Sequence, residues 1–425
     1  MTMECCEEYA RLSAMSRRSF LGAVAATGTV AATTSLFGES VLQATYGAAP
    51  GGNVLVVLSF RGGVDGLGLV VPHGDPAYAA ARPTLKVPTA SLLAKDAMFG
   101  LHPGMAPLEW AWNSGELAAV HAVGLPVPDR SHFSAIEKVE DADPGSSERR
   151  GWVNRMVGLN TAPVPWDAIS LGSSIAPTMV EGPAPSVAMA ELDLISLPGA
   201  DGVDAAWNAR RLAALETVWA GTTGRLASAY KAAVATSTKL TPVSLTKYVP
   251  TVAYPTEWPA NELSDALKGA AQLIKADLGV QVITVDFGGW DMHDQYGTLD
   301  WGRMQRQVAA FAGSMSAFLK DLGVLRSRVT VATISEFGRR VEENGNAGLD
   351  HGWGNMMLLM GAGVKGGKYH GTWPGLTHGT TRNDDLKVTT DYRQVLGELI
   401  HKRFPDKDVT KVFPGVSYDP IGVLA

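Results

Sequence analysis

The chain carries four short apolar runs that are rich in valine, leucine and isoleucine. They cover residues 53–60, 116–123, 281–287 and 329–334. Continuous apolar runs of this length are typical of strands buried on both faces of a parallel sheet. A further apolar run at residues 356–360 is a candidate for an additional strand. The pattern therefore predicts a mainly parallel sheet.

Between the third and fourth runs, apolar residues recur at spacings of three and four. The recurring positions are Met304, Val308, Phe311, Met315, Phe318, Leu319 and Leu322. This spacing predicts a helix with one apolar face, which ends near Gly323. The order strand, helix, strand predicts a crossover between two parallel strands.

Residues 160–260 differ in character from the rest of the chain. They are rich in proline, alanine, serine and threonine, and contain one helical stretch at residues 205–233. We interpret this region as an insertion or cap on the sheet. The predicted fold is α/β, a mainly parallel sheet flanked by helices, in a single domain over residues 50–425 with a cap at about 160–260.

Composition narrows the classes of function. Apolar residues make up 46% and charged residues 18% of the 425-residue chain, which permits a sizeable core. A net charge of −6 argues against a nucleic-acid-binding surface. No apolar run reaches the roughly 18 residues of a membrane span, so we expect none in the mature chain. Because the cysteines are Cys5 and Cys6, the body of the chain cannot use a disulfide or a cysteine nucleophile.

The first 49 residues have the features of an export signal. Arg11, Arg17 and Arg18 precede an uncharged stretch at residues 21–36, and the small residues 47–49 follow. The sequence SRRSFL, beginning at Ser16, resembles the twin-arginine signal. It implies the twin-arginine export machinery as a partner and a periplasmic or extracellular location. The alternative interpretation is an amphipathic N-terminal helix.

Residues able to bind metal follow the ends of the predicted strands. Ligands bind beyond the carboxyl ends of strands in open parallel sheets. Asp65 follows the first run, Ser131 and His132 the second, Asp291 and His293 the third, Glu336 the fourth, and Asp350 and His351 a short loop later. Carboxylates together with imidazoles suit zinc or manganese. Five loops on one edge therefore predict a divalent metal site.

Each of these residues also has a structural interpretation. Asp65 could support a turn, and so could Asp350 with His351. Ser131 could be a helix cap, and His132 could be a half-buried histidine without a ligand. Asp291 and His293 could be solvated loop residues, and Glu336 could form an ion pair with Arg339 or Arg340. Ser134 and Glu137 match a capping box, which predicts that the helix after residue 130 starts at Ser134 and does not need Ser131 as its cap.

Several motifs together resemble those of exported bacterial proteins of the domain of unknown function family 1501. They are the twin-arginine signal, FRGGVDGL, DRSHFSA, GGWDMHDQ, SEFGRRVEENGNAGLDHGWGN, GVKGGKYHGTWPGL, TTDYRQVLGELI and KVFPG. The resemblance runs from about residue 53 to 415. The name of that family assigns no activity.

That family is similar to the alkaline-phosphatase-like superfamily of phosphatases, sulfatases and phosphoglycerate mutases. The resemblance implies an alkaline-phosphatase-like sheet with a metal centre beside a nucleophile. It implies metal ligands at Asp65, Asp291, His293, Glu336 and His351, with Asp350 either orienting His351 or binding metal. Ser131 would lie near the nucleophile, with His132 beside it. Phe337 stands where the superfamily usually has histidine, so Asp350 and His351 are an alternative Asp-His pair.

Two hypotheses follow for the function of the chain. The first is an exported metal-dependent hydrolase of a phosphate or sulfate ester, in which Ser131 or a metal-activated water attacks. Arg61 would bind an oxygen of the anionic ester substrate, with a surface charge as the alternative interpretation. The second is a non-catalytic exported binding or assembly protein with a degenerate form of this fold. A common centre for the predicted ligands would favour the first.

Overall fold

A computed structural model describes residues 51–143, 146, 149–192, 205–376 and 385–425. The export signal predicted over residues 1–49 lies outside the described residues. The described strands are β1 (Val54–Phe60), β2 (Val70–Val71), β3 (Gly100–Leu101), β4 (Leu117–Gly124), β5 (Ala168–Leu171), β6 (Val187–Met189), β7 (Val282–Phe287), β8 (Val329–Ile334), β9 (Asn355–Gly361), β10 (Tyr369–His370) and β11 (Thr390–Asp391). The described α-helices are α1 (Gly66–Leu69), α2 (Pro76–Ala81), α3 (Glu109–Asn113), α4 (His132–Asp141), α5 (Trp152–Val157), α6 (Ala205–Trp219), α7 (Arg225–Ser244), α8 (Ala260–Ala276), α9 (Arg303–Asp321), α10 (Tyr392–Arg403) and α11 (Val409–Val412).

One sheet forms the centre of the described chain. Its strand order is β10–β4–β9–β8–β1–β7–β5–β6, and β11 pairs with the end of β4. The strands predicted from the four apolar runs are confirmed as β1, β4, β7 and β8. Strand β1 is buried along its whole length because it pairs in parallel with β7 on one side and β8 on the other.

Strand β9, the candidate fifth strand, runs against its neighbours. It pairs antiparallel with both β4 and β8, whereas the other pairs described in this sheet are parallel. The predicted α/β class with a mainly parallel sheet is therefore confirmed. Because β9 is reversed, it begins at the edge where β1, β4, β7 and β8 end. Residues just before β9 consequently meet the loops that follow those four strands.

Helices cover both faces of the sheet. Val56 and Leu58 of β1 belong to the same apolar cluster as α8 and α9, whereas Leu55 and Val57 belong to the cluster that holds α5 and α10. The alternation follows from the pleat, which directs successive side chains to opposite faces. Helix α9 confirms the helix predicted from the spacing of apolar residues. Within the described residues, no helix is both long enough and apolar enough to cross a membrane.

The region predicted to be a cap contributes to the sheet as well. Strand β5 pairs with β7, and β6 pairs with β5, so both extend the sheet at one side. The single helical stretch predicted at residues 205–233 is instead two helices, α6 and α7. Gly221 (φ +72°) and Gly224 (φ +97°) lie between them in backbone conformations that favour glycine. We propose that this region extends the sheet and adds helices beside it.

Candidate metal centre

The loop after β7 is anchored by a buried tryptophan. Gly288 and Gly289 (φ +87°) turn the chain off the strand. Trp290 is then 1% exposed, and its ring centroid lies 4.9 Å from that of Phe60 and 5.8 Å from that of Phe287. This packing fixes the start of the loop. Asp291 and His293, the next residues of interest, are therefore held at the carboxyl edge of the sheet.

Three histidines converge on the carboxylate of Asp291. The Nε2 atoms of His293 and His351 lie 3.2 and 3.4 Å from Oδ1 of Asp291. The Nε2 atom of His132 lies 3.6 Å from Oδ2 of the same side chain. One ligand atom from each of His132, Asp291 and His351 falls within 4.8 Å of the others. The three predicted loops after β4 and β7 and before β9 thus meet at one point.

The opposite nitrogen of each imidazole contacts an oxygen atom. His132 Nδ1 lies 3.0 Å from Glu336 Oε1, His293 Nδ1 lies 3.0 Å from Asp350 Oδ1, and His351 Nδ1 lies 2.8 Å from the carbonyl oxygen of Arg130. A proton on Nδ1 that is donated to such an oxygen leaves a lone pair on Nε2. Metal-binding histidines are oriented in the same way, by a carboxylate or carbonyl behind the ring.

The distances between the two imidazoles of His293 and His351, and from each histidine to Asp291, suit ligands of a shared ion. Zinc binds imidazole nitrogen and carboxylate oxygen at about 2.0–2.2 Å, so ligand atoms at tetrahedral angles lie about 3.3 Å apart. The nitrogens of His293 and His351 are 2.9 Å apart, and those of all three histidines lie 3.2–3.6 Å from an oxygen of Asp291. The donor set, three imidazoles and one carboxylate, is also one that zinc and manganese accept. The residues therefore fit a divalent transition metal.

Arg339 organises this centre, and its role was not predicted. The side chain is 2% exposed, and its Nη2 atom lies 2.6 Å from Oδ1 of Asp291. The guanidinium also donates to the carbonyl oxygens of Gly62, Gly63, Trp290 and Leu349. One cation thereby links the loops after β1 and β7 with the segment before β9. The sequence offered Arg339 only as a possible partner of Glu336, since its partners are distant along the chain.

Glu336 lies behind His132. Besides His132, its Oε1 atom accepts a hydrogen bond from the backbone nitrogen of Gly62 at 2.7 Å. The hydroxyl of Ser335 donates to Oε2 at 3.2 Å. Because Arg339 pairs with Asp291, the alternative ion pair between Glu336 and Arg339 is wrong. Glu336 and Asp350 thus hold corresponding positions, each behind one imidazole.

The close packing of charges shifts the pKa values of these groups. Burial alone would lower the pKa of His132, but hydrogen bonds with Asp291 and Glu336 raise it to about 9. Burial would raise the pKa of Asp291, yet hydrogen bonds with the three histidines and the charge of Arg339 hold it well below its ordinary value. Asp291 is therefore a carboxylate throughout the physiological range.

Ser131 is at the start of α4, directly before His132. The helix begins at His132 with Ser131 as its N-cap residue, so the start predicted at Ser134 is wrong. The reason is that the Ser134 hydroxyl donates to Oδ2 of Asp129 at 2.6 Å, outside any capping box. The hydroxyl of Ser131 makes no capping bond to the helix. It is half-buried at the carboxyl edge of the sheet, next to a candidate ligand.

Two further predicted residues are held by ion pairs. Arg82 binds both carboxylate oxygens of Asp65, at 2.6 and 3.0 Å, and the hydroxyl of Tyr296 donates to one of them at 2.6 Å. Arg61 contacts Glu140 at 2.5 Å and Asp286 at 2.9 Å. Both side chains lie at the predicted edge, but their polar atoms face these partners. We accordingly place neither among the residues proposed below to contact metal or substrate.

Comparison with known proteins gives a partial family match. The model of a protein of unknown function (DUF1501) matches residues 255–397, a range that includes Asp291, His293, Glu336, Arg339 and His351. A search of curated proteins found no match. The match covers about a third of the chain and includes the loops after β7 and β8 and before β9.

Solved structures that align with the chain include a sulfatase and a lipoteichoic acid synthase. The zinc complex of the C-terminal periplasmic domain of EcEptC from Escherichia coli aligns with 9% identity and a TM-score of 0.36, covering 74% of each chain. The PsFucS1 sulfatase from Pseudoalteromonas sp. aligns with 12% identity and a TM-score of 0.36, covering 88% of this chain and 72% of that chain. The lipoteichoic acid synthase LtaP from Listeria monocytogenes aligns with 8% identity and a TM-score of 0.31, covering 92% and 79%. Since these TM-scores are below 0.5, the functional argument rests on the site residues alone.

Proposed function

We propose that this protein is a metal-dependent hydrolase of a phosphate or sulfate ester. The single observation that carries the proposal is the convergence of three imidazoles on Asp291, each with an oxygen atom behind its Nδ1. In the proposal, His132, Asp291, His293 and His351 hold the ion, while Glu336 and Asp350 orient two of the imidazoles. Zinc or manganese suits this donor set.

The ion would supply Lewis-acid stabilisation of the negative charge that develops on the ester oxygens. Residues of the chain would supply the nucleophile, favour the anionic group and position the metal ligands. In the proposal, the hydroxyl of Ser131, the residue before His132, attacks the phosphorus or sulfur atom and displaces the ester alcohol, and water then releases the phosphate or sulfate. Direct attack by water on the ester is the alternative. The positive end of the dipole of α4, which begins at His132, favours an anionic group at this position. Arg339 holds Asp291 in position throughout.

Metal content and hydrolysis together test the proposal. We expect the folded protein to contain about one zinc or manganese ion per chain by mass spectrometry, and to hydrolyse at least one of the 4-nitrophenyl phosphate, bis-phosphate and sulfate esters. Asp291→Asn should lose both properties, whereas Asp294→Asn, an exposed change in the same loop, should retain them. Hydrolysis that survives in Asp291→Asn would refute the mechanism. A protein without metal and without stabilisation by added metal would favour the non-catalytic binding protein.

We also propose that the protein is exported by the twin-arginine machinery. The support is the SRRSFL sequence at residues 16–21, followed by an uncharged stretch and the small residues 47–49. The mature chain would then begin near Pro50, just before β1. N-terminal sequencing of the protein recovered from the periplasm or medium tests the position of cleavage.

A further inference from the structure

Two exposed tryptophans lie at the starts of the helices beside the candidate metal centre. Trp258 is 63% exposed and precedes α8, and Trp301 is 55% exposed and precedes α9. Helix α9 follows β7 in a parallel crossover, so its first turn lies at the edge of the sheet that carries the metal centre. Indole groups are large and usually well buried, and exposed ones at the rim of a site indicate a binding surface.

Arg303 connects Trp301 to the metal-binding loop. Its Nη2 atom donates to the carbonyl oxygen of Gly289 at 3.4 Å, and Nη1 lies 3.7 Å from Asp294. Gly289 and Asp294 bracket the stretch that contains Asp291 and His293. Since Trp301 is only two residues before Arg303, it borders the loop that provides two of the proposed metal ligands.

Arg306 connects Trp258 to the same surface. It lies one helical turn after Arg303, and residues three apart share one side of a helix. Its guanidinium carbon is 5.1 Å from the centre of the Trp258 ring, within the range of a cation–π contact. Trp258, Trp301, Arg303 and Arg306 thus lie just before or within the first turns of α8 and α9, and we call these four residues the tryptophan strip.

The strip combines three kinds of group. The indole faces are apolar and carry partial negative charge, which attracts polarised C–H groups. The two arginines favour anionic substituents. An exposed carboxylate precedes each tryptophan, Glu257 before Trp258 and Asp300 before Trp301, and accepts hydrogen bonds from hydroxyl groups. A sugar ring satisfies all three, because it has a C–H face, a rim of hydroxyls and, when esterified, an anionic group.

We infer that the tryptophan strip binds the sugar rings of an anionic carbohydrate ester, with the ester group directed to the metal centre. The inference rests on the proposed function for the location of the ester. Aromatic stacking alone would equally suit a nucleobase. The carboxylates of Glu257 and Asp300 favour a sugar ring, because they accept hydrogen bonds from free ring hydroxyls, which the internal residues of a DNA strand lack.

Binding can be measured without hydrolysis. The probes are a heparin tetrasaccharide, its desulfated form and a single-stranded oligonucleotide, titrated calorimetrically into the full protein. We expect the sulfated saccharide to bind most tightly. Trp258→Ala and Trp301→Ala should each weaken its binding at least tenfold, and Arg306→Gln should weaken the sulfated form more than the desulfated one. The melting temperature and the metal content should remain as in the wild type.

Trp207→Ala is the matched control. Trp207 is also exposed, at 40%, and also carries an arginine over its ring, with Arg211 at 5.3 Å, but it lies on α6. This variant should bind the saccharide as the wild type does. Saccharide binding that is absent, unaffected by Trp258→Ala and Trp301→Ala, or equally reduced by Trp207→Ala would overturn the inference, as would tighter binding of the oligonucleotide.

The proposed metal centre and the proposed saccharide-binding strip can be refuted independently of each other. His351→Ala should lose metal yet still bind the tetrasaccharide, because the strip does not include this histidine. If the wild type contains no metal and hydrolyses no ester but binds the saccharide through both tryptophans, the proposed function is refuted and the strip is supported. If metal and hydrolysis are present while the tryptophan variants bind normally, the strip is refuted alone.

Discussion

The Nε2 atoms of His293 and His351 lie 2.9 Å apart, and both face Oδ1 of Asp291. With the Nδ1 protons committed to Asp350 and the Arg130 carbonyl, these nitrogens would bring two lone pairs together. Such a contact is repulsive unless a positive charge, either a proton or a metal ion, lies between them. The three residues come from two loops, so the fold itself creates this need for a cation.

The first prediction is that removing either imidazole weakens metal binding. His293→Ala and His351→Ala should each lower the affinity for zinc by at least about 10- to 100-fold, the range found when even the partners of metal ligands are changed. Zinc should raise the melting temperature of the wild type and have little effect on these variants. His401→Ala, an exposed histidine on α10, serves as the control. Equal stabilisation of all four proteins by zinc would show that the two imidazoles bind no metal.

The sequence identified the strands at the centre of the sheet because they are buried on both faces. Strands β1, β4, β7 and β8 are continuous apolar runs, and such runs carry a signal without any knowledge of their neighbours. Strands β5 and β6 are only four and three residues long, and they were missed. The reversed direction of β9 could not be predicted from the sequence either, because strand direction is set by pairing between distant segments.

For the site, the sequence located the loops better than the contacts within them. Asp291, His293 and His351 were identified because metal-binding residue types recur after predicted strands. Asp65 was chosen by the same rule, yet in the structure both its oxygens are bound by Arg82, which is 17 residues away. Arg339 was missed as a central residue because its partners include Gly62 and Asp291 on other loops. Side-chain pairing across the fold leaves no local pattern.

A second prediction concerns the residue behind His132. Glu336→Gln removes the negative charge that holds the Nδ1 proton of His132, so the pKa of His132 should fall from its value of about 9. Metal affinity should decrease by about tenfold or more, because the imidazole is less well oriented. The change can be followed by calorimetry with zinc and by NMR titration of His132 in the metal-free protein. Glu262→Gln, an exposed change on α8, should alter neither quantity, and a normal zinc affinity in Glu336→Gln would contradict the assigned role.

A third prediction concerns acid stability and a site away from the metal centre. Asp321 is 1% exposed and accepts hydrogen bonds from Lys275, Tyr248, Tyr254 and Thr251. Burial would raise the pKa of Asp321, but these donors outweigh it and lower the pKa from 3.8 to about 2. The difference corresponds to about 2 kcal/mol of unfolding free energy at neutral pH.

Because the pKa is lower in the folded state, this stabilisation is complete above the unfolded value and is lost as the pH falls from about 4 to about 2. Asp321→Asn should therefore be less stable than the wild type at pH 7, and the gap should narrow towards pH 2. Urea unfolding at several pH values measures it. Asp265→Asn, exposed on α8, should show no such gap. If the difference in unfolding free energy between the wild type and Asp321→Asn does not depend on pH, the loss of stability in the variant is due to packing alone.

A fourth prediction concerns export. Replacing Arg17 and Arg18 together with lysine should leave the full-length precursor in the cytoplasm, because the arginine pair is the feature that the machinery reads. Arg11→Lys preserves the charge and lies outside the SRRSFL sequence, so it should be exported normally. Fractionation followed by immunoblotting distinguishes precursor from mature chain. Normal export of the double lysine variant would remove the twin-arginine route from the proposal.

The last prediction tests whether Arg339 stabilises the fold through Asp291. Arg339→Met would leave the Asp291 carboxylate and several carbonyl oxygens without their buried cation, and we expect a loss of about 3–5 kcal/mol. Asp291→Asn alone should also destabilise the protein, but the double variant should cost less than the sum by about 1–3 kcal/mol, since the two side chains share one interaction. Unfolding by urea in the presence of chelator measures these values without interference from metal. Arg149→Met, whose side chain is 67% exposed, should change the stability little. Additive costs for Arg339→Met and Asp291→Asn would mean that Arg339 acts only through the backbone carbonyls, and that Asp291 depends on the three histidines for its position.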